Sequence, residues 1–170
     1  MNLVLAPVSL EEVIYDAMAD ITPQVEAKNL KLTVNLQPAL PAIQADSQRI
    51  RQIVTNLMDN AVKFTAHGEV RVEAVTAVVQ GHTSVAGHHI PEWIAVADGN
   101  WLVMTVTDTG IGIAKEDQIY IFDAFRQVDS SSVRKFEGSG LGLAITMQLT
   151  RIHQGHMWVE SEVGKGSTFI

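Results

Sequence analysis

The segment from residue 47 to residue 65 constrains the fold most, because its side chains form two separate stripes along one predicted helix. Asn56, Asn60 and Lys63 stand at i, i+4 and i+7 and therefore project within a narrow sector. Amide oxygens suit Mg²⁺ and lysine pairs with phosphate, so this polar stripe is either a solvated face or an anion and metal site. The other stripe is apolar and predicts packing on a core: Ile50, Ile53, Val54, Leu57, Met58 and Ala61.

Apolar periodicity divides the rest of the chain into helices and strands. Ser9 and Glu12 have the spacing of a capping box at the start of the first helix. Helices are predicted over 9–28 (bent at Pro23), 116–122 and 140–153, and an irregular excursion over 80–100. Strands are predicted over 30–36, 42–46, 70–79 and 101–107, and a closing hairpin over 157–161 and 167–170. This order predicts an α/β fold in which helices pack on one face of a sheet.

Bulk composition excludes several classes of protein. The 170 residues suit one domain, and a hydrophobic content of 46% is enough for a core. The chain has no cysteine, which excludes disulfides and thiolate metal sites. A net charge of −7 argues against nucleic acid or an anionic membrane as the main partner. No apolar run approaches the ~18 residues of a membrane helix, so we expect a soluble, cytoplasmic domain without direct membrane contact.

Asp108 lies at the end of the strand predicted over 101–107. Leu102, Met104 and Val106 share one face, and Asp108 continues their parity, so its carboxylate should point toward the buried side. Gly110 and Gly112 follow and would let the backbone approach a ligand closely. Alone, this pattern is also typical of a strand that ends in a turn.

A glycine-rich run opens the helix predicted over 140–153. Such a turn offers free amides and the positive end of the helix dipole to phosphate. No strand runs directly into it, which excludes a dinucleotide-binding βαβ unit, and the chain has no P-loop motif. The run comprises Gly138, Ser139, Gly140, Leu141, Gly142 and Leu143.

Together these segments resemble the catalytic ATP-binding domain of the sensor histidine kinases, within the superfamily that includes gyrase, heat-shock chaperone and mismatch-repair ATPases. Residues 56–65 (NLMDNAVKFT) resemble the N box, and 108–112 (DTGIG) the G1 box. Residues 122–125 (FDAF) resemble the F box, and 138–143 (GSGLGL) the G2 box. Residues 161–169 (SEVGKGSTF) resemble the last glycine box, so five motifs occur in the family's order.

The resemblance implies a Bergerat-type ATP-binding fold: a two-layer sandwich of a mixed sheet packed on one face by helices. A lid would cover the nucleotide at about 124–139, with Arg126, Arg134 and Lys135 as cationic contacts. By the family pattern, Asp108 accepts a hydrogen bond from the adenine amino group. Gly110 and Gly112 make room for the base, and Thr168 supports that network.

The resemblance also implies roles for the polar stripe of the helix at 47–65. Asn60 would coordinate Mg²⁺, Asn56 and Lys63 would lie beside the phosphates, and these three would form the catalytic set. Phe64 would wall the pocket. The remaining expected nucleotide contacts are Ile113, Phe125, Arg126, Ser139, Gly140, Leu141, Gly142 and Leu143.

The implied function is to bind Mg-ATP and donate its γ-phosphate to a histidine on a separate dimerisation domain of the same parent protein. A response regulator would be an indirect partner. The family's phosphoacceptor motif is absent from the chain, and the last strand is shorter than in relatives, so we expect an excised domain.

Two alternatives remain open: a nucleotide-binding scaffold or pseudokinase, and a gyrase-type ATP hydrolase. Such hydrolases carry a glutamate base at the position matching Asn56, which argues against the second.

Overall fold

The computed structural model describes residues 3–81, 83–123 and 141–170. The helices in these ranges are α1 (Leu10–Ala27), α2 (Ser47–Phe64) and α3 (Gly142–Ile152). The strands are β1 (Ala6–Val8), β2 (Lys31–Leu36), β3 (Ile43–Ala45), β4 (Glu69–Val79), β5 (Ser84–Val85), β6 (His88–His89), β7 (Gly99–Asp108), β8 (Val159–Glu162) and β9 (Gly166–Phe169). None of the described helices is both long and apolar enough to cross a membrane.

The main sheet of the described chain has the strand order β2-β4-β7-β9-β8. Strands β2 and β4 are parallel, and the other neighbours are antiparallel. Strands β1 and β3 form a separate antiparallel pair. The mixed sheet with packed helices confirms the predicted α/β sandwich.

One face of the sheet carries the main core beneath the helices. Alternation along β4 and β7 directs the same parity of side chains to this face. Helix α2 packs between α1 and α3 and also contacts β4 and β7. The fully buried side chains of this core include Ile14, Ile21, Val54, Met58, Val62, Val70, Val72 and Val106.

The opposite face of the sheet is covered at one end by residues 83–98, within the stretch that the sequence predicted only as an irregular excursion. Strands β5 and β6 form a short hairpin there. The hairpin is fastened to β8, because one carboxylate oxygen of Glu160 lies 2.9 Å from His88 Nδ1 and the other accepts the His89 N–H. A second hydrophobic cluster joins this hairpin to the sheet: Val79, Val85, Ile90, Val96, Val103, Trp158 and Ile170.

Several predicted elements differ from those observed. Residues 116–122 are successive turns rather than a helix, because three- and four-residue turn bonds alternate there and the Gln118 side chain bonds to the Ile113 and Ser161 carbonyls. Helix α3 begins at Gly142, two residues later than predicted. Helix α1, by contrast, spans nearly its predicted range as one helix that includes Pro23.

Candidate functional site

Asp108 ends β7 with its carboxylate on the helix side of the sheet, as its parity predicted. The residue is 5% exposed, and its Oδ1 accepts the Gly110 N–H at 2.8 Å. Burial raises the pKa of Asp108 to about 6, while main-chain hydrogen bonds from Gly110 and Ser167 favour the ionised form. The fold therefore holds a fixed acceptor whose remaining lone pairs can bind a ligand's N–H group.

The loop after Asp108 lies directly against the C-terminus of α2. The Ile111 N–H donates to the Phe64 carbonyl oxygen at 3.3 Å. A Cβ on Gly110 would lie 2.4 Å from that oxygen and 2.7 Å from Asp108 Oδ1, so only glycine allows this approach. Two motifs that are far apart in the sequence thus meet at one place.

The far side of the same loop rests on the β8–β9 hairpin. Gly112 has a φ of +69°, and a Cβ there would lie 2.0 Å from the Glu162 carbonyl oxygen. The Ile113 N–H donates to Ser161 Oγ at 2.8 Å. These contacts fix the loop between α2 and the hairpin.

Helix α3 begins beside the polar stripe of α2. Asn56 Nδ2 lies 3.1 Å from Thr146 Oγ1 and 3.4 Å from the Gly142 carbonyl oxygen, donating to both. The N-cap of α3 is Leu141, whose side chain has no oxygen to cap the first amides. Asn56 is thereby placed next to the positive end of the α3 dipole.

The rest of the polar stripe continues toward the loop after Asp108. Asn60 is half-buried one turn after Asn56. The Lys63 ammonium lies 5.2 Å from the centroid of the Phe64 ring. No group of three or more His, Asp or Glu side chains in the described ranges could hold a metal alone. Mg²⁺ commonly binds through one or two protein ligands together with substrate phosphates, and a single amide oxygen fits that arrangement.

The family model for histidine kinase-, DNA gyrase B- and HSP90-like ATPases matches residues 45–170, which include every site residue above. The chain belongs to this ATPase family.

Relatives within the ATPase family include two much longer proteins. The chain is 37% identical over 169 residues to the non-motile and phage-resistance protein of Caulobacter vibrioides, covering 99% of this chain and 18% of that protein. It is 35% identical over 170 residues to the circadian input-output histidine kinase CikA of Synechococcus elongatus, covering 98% and 20%. The chain thus spans a fifth or less of the length of these relatives.

Among solved structures, full-length ShkA in complex with AMPPNP superposes with a TM-score of 0.75 at 31% identity. The match covers 99% of this chain and 30% of that chain. With the family match, these similarities identify a histidine-kinase-type ATP-binding catalytic domain.

Thr168 is one predicted site residue that the structure does not bring to the others. Its hydroxyl bonds to Thr107 Oγ1 at 3.1 Å, on the sheet face opposite to Asp108. Ser167 pairs with Asp108 instead and is buried, with its Oγ 2.9 Å from Ser161 Oγ. Strand alternation could have identified Ser167 as the residue on the side of Asp108. Phe169 faces the core, and Ser167 lies two residues before it and therefore on the same face.

Part of the predicted site lies outside the described residues. This part comprises the lid at about 124–139 and the residues Phe125, Arg126, Arg134, Lys135, Ser139 and Gly140. Leu141, Gly142 and Leu143 are described and lie half-buried at the start of α3.

Proposed function

We propose that the chain binds Mg-ATP and donates the γ-phosphate to a histidine side chain on a separate domain. The observation that carries this proposal is the buried Asp108 carboxylate at the end of β7, directly before the loop that bonds to the end of α2. One short segment thereby connects an acceptor for the base to the helix that bears Asn60 and Lys63.

Adenine selection would follow from the charge of Asp108. A carboxylate accepts a hydrogen bond from the adenine amino group and repels the carbonyl oxygen that guanine presents at the matching position. The tight packing of Gly110 leaves no room for a side chain between this carboxylate and α2.

The phosphates would lie toward Asn56, Asn60 and Lys63. Lys63 supplies a positive charge and the start of α3 supplies main-chain amides, and both favour anions. Asn60 would ligate Mg²⁺, which when bound neutralises phosphate charge during transfer.

Transfer to a histidine, rather than to water, is supported by the chemistry of Asn56. An amide cannot take a proton from water, and this one is donating to Gly142 and Thr146. In the proposed step an imidazole nitrogen attacks the γ-phosphorus and the bond to the β,γ-bridging oxygen breaks. ADP leaves with that electron pair, and the imidazole releases its proton.

The test supplies the chain, alone or fused, with a helical hairpin that carries a phosphoacceptor histidine, and with ATP labelled at the γ-phosphate. We expect acid-labile label on the hairpin and none on a hairpin with alanine in place of that histidine. Calorimetry measures ATP binding in parallel. Binding without any transfer, also within the fusion, would favour a scaffold or pseudokinase.

A further inference from the structure

The last turn of α2 carries two proposed nucleotide contacts, Lys63 and Phe64, and needs partners for its carbonyl groups. A helix leaves its last four carbonyls without partners inside the helix. The Lys28 ammonium, at the end of α1, lies 2.6 Å from the Val62 oxygen and 3.0 Å from the Lys63 oxygen. It also lies 3.3 Å from the Thr65 oxygen.

The other carbonyls of this turn have different partners. Thr65 Oγ1 donates to the Ala61 oxygen at 2.7 Å, and the Ile111 N–H donates to the Phe64 oxygen. The turn is therefore held from one side by Lys28 and from the other by the loop that follows Asp108. Lys28 and this loop together fix the position of the side chains of the turn.

Lys28 is itself fixed by the way α1 ends. The Leu30 N–H donates to the Val25 oxygen and the Asn29 N–H to the Glu26 oxygen, both at 3.0 Å. Asn29 has a φ of 53°, and Leu30 and Val25 are both buried. This is a Schellman motif with Lys28 as its C-cap, so the lysine stem leaves a rigid point of the backbone.

An ammonium group suits this position for two reasons. It has three donors, which match the three carbonyl oxygens around it. Its charge also lies at the negative end of the α2 dipole. A planar guanidinium has a different donor geometry, and an apolar side chain has neither charge nor donors.

We propose that Lys28 is a positioning residue for nucleotide binding, which acts by holding the last turn of α2 and so the Lys63 side chain. This inference rests on the proposed function. Loss of Lys28 would leave the Val62 and Lys63 carbonyls without this donor, and the turn would no longer hold Lys63 toward the phosphates.

The test compares Lys28→Met with the parent by calorimetry, using ATP and adenosine at a temperature where circular dichroism shows both chains folded. We expect ATP affinity to fall about tenfold or more, the effect of losing the charge-assisted contact of Lys63 with phosphate, and adenosine affinity to change less. Lys31→Met is the matched control, because the Lys31 side chain is 73% exposed and pairs with Glu69 at the sheet edge. It should change neither affinity.

A double-mutant cycle separates positioning from general destabilisation. If Lys28 acts through Lys63, then Lys28→Met in a Lys63→Met background should cost less than about twofold in ATP affinity. Equal losses for ATP and adenosine, or full additivity in the cycle, would overturn the inference. If Lys28→Met does not fold, Lys28→Arg is measured in the same way and should weaken ATP more than adenosine; an unchanged ratio would overturn it. A parent that binds no ATP would instead refute the proposed function.

Discussion

The Asp108 carboxylate occupies a position where an uncharged residue would make the fold more stable. Its pKa is raised from 3.8 to about 6 because burial disfavours the charged form. The folded chain therefore binds this proton more tightly than the unfolded chain does. The penalty to stability is absent below about pH 4 and complete above about pH 6, where it amounts to about 3 kcal/mol.

Replacing Asp108 with asparagine should therefore stabilise the folded chain at pH 7.5. The asparagine Oδ1 can still accept the Gly110 N–H, while the buried charge is removed. Urea denaturation should give a higher free energy of unfolding at pH 7.5, and a difference that shrinks toward zero near pH 4. A variant that is less stable at both pH values would contradict the assigned cost of burial.

The same substitution should weaken ATP binding by at least about tenfold, since a charge-assisted hydrogen bond contributes ~1.5–3 kcal/mol. The parent's ATP affinity should also fall as the pH drops through about 6, where the carboxylate gains a proton. Calorimetry between pH 5 and 8 measures both effects. Asp108→Asn supplies the baseline, because the titration of ATP itself affects both proteins equally.

Asn60→Ala should remove most of the Mg²⁺ dependence of ATP binding. The residue lies off the buried stripe of α2, so the helix should remain folded. ATP affinity is compared with and without Mg²⁺ in the parent, in this variant and in Asn35→Ala. Asn35 lies on β2, away from the site, and its amide donates to Glu73 of β4. If Asn60→Ala retains the parent's full Mg²⁺ effect, Asn60 is not a ligand.

At the scale of elements, apolar periodicity predicted the helices and strands that depend on residues close together in the sequence. The helix at 47–65 and the strands at 70–79 and 101–107 were predicted nearly to their ends, because each has a long apolar face. The buried direction of Asp108 followed from the same alternation.

Elements that depend on distant contacts were missed. Strand β1 has only three residues and exists through its pairing with β3. The turns at 116–122 are held by Gln118 bonds to Ser161, and Lys28 finds its carbonyl partners across 34 to 37 residues of sequence. No local pattern encodes such partners.

The hairpin formed by β5 and β6 should support stability without taking part in nucleotide binding. Ile90 is 2% exposed within the second cluster, on the sheet face opposite to Asp108. Ile90→Ala should therefore lower the free energy of unfolding by about 2–5 kcal/mol. ATP affinity should remain unchanged while the variant is folded.

Trp93→Ala is the matched control for this prediction. Trp93 is 74% exposed in the same segment, so its removal should change stability by less than about 0.5 kcal/mol. A large loss of ATP affinity in folded Ile90→Ala would instead connect the hairpin to the site.

At the scale of the whole molecule, the two faces of the sheet carry different groups of residues. The helix face combines the main core with Asp108 and the polar stripe of α2, whereas the opposite face carries the second cluster. Asp108, Gly110 and Phe64 meet where β7, its following loop and α2 converge. A substitution in the second cluster can therefore be assigned to the scaffold, whereas the helix face carries both scaffold and site residues.

The chain of 170 residues should bind ATP but hydrolyse it far more slowly than the ~1–100 s⁻¹ at which kinases work. Asn56 offers no base for water, and its amide is donating to α3. Steady-state release of phosphate measures this rate. Brisk hydrolysis by the unmodified chain would favour the gyrase-type alternative over the kinase.

Glutamate at position 56 tests why hydrolysis is slow. A well-placed general base contributes ~10²–10⁴-fold, but a carboxylate here cannot donate to Thr146 and would face the Gly142 carbonyl oxygen. Asn56→Glu should consequently raise hydrolysis only modestly, by less than about a hundredfold. In the control variant Asn56→Gln, the side chain has the length of glutamate but keeps the amide donor of asparagine. Any increase in hydrolysis that is specific to Asn56→Glu therefore comes from the carboxylate acting as a base. A rate no higher in Asn56→Glu than in Asn56→Gln would show that the missing base is not what limits hydrolysis.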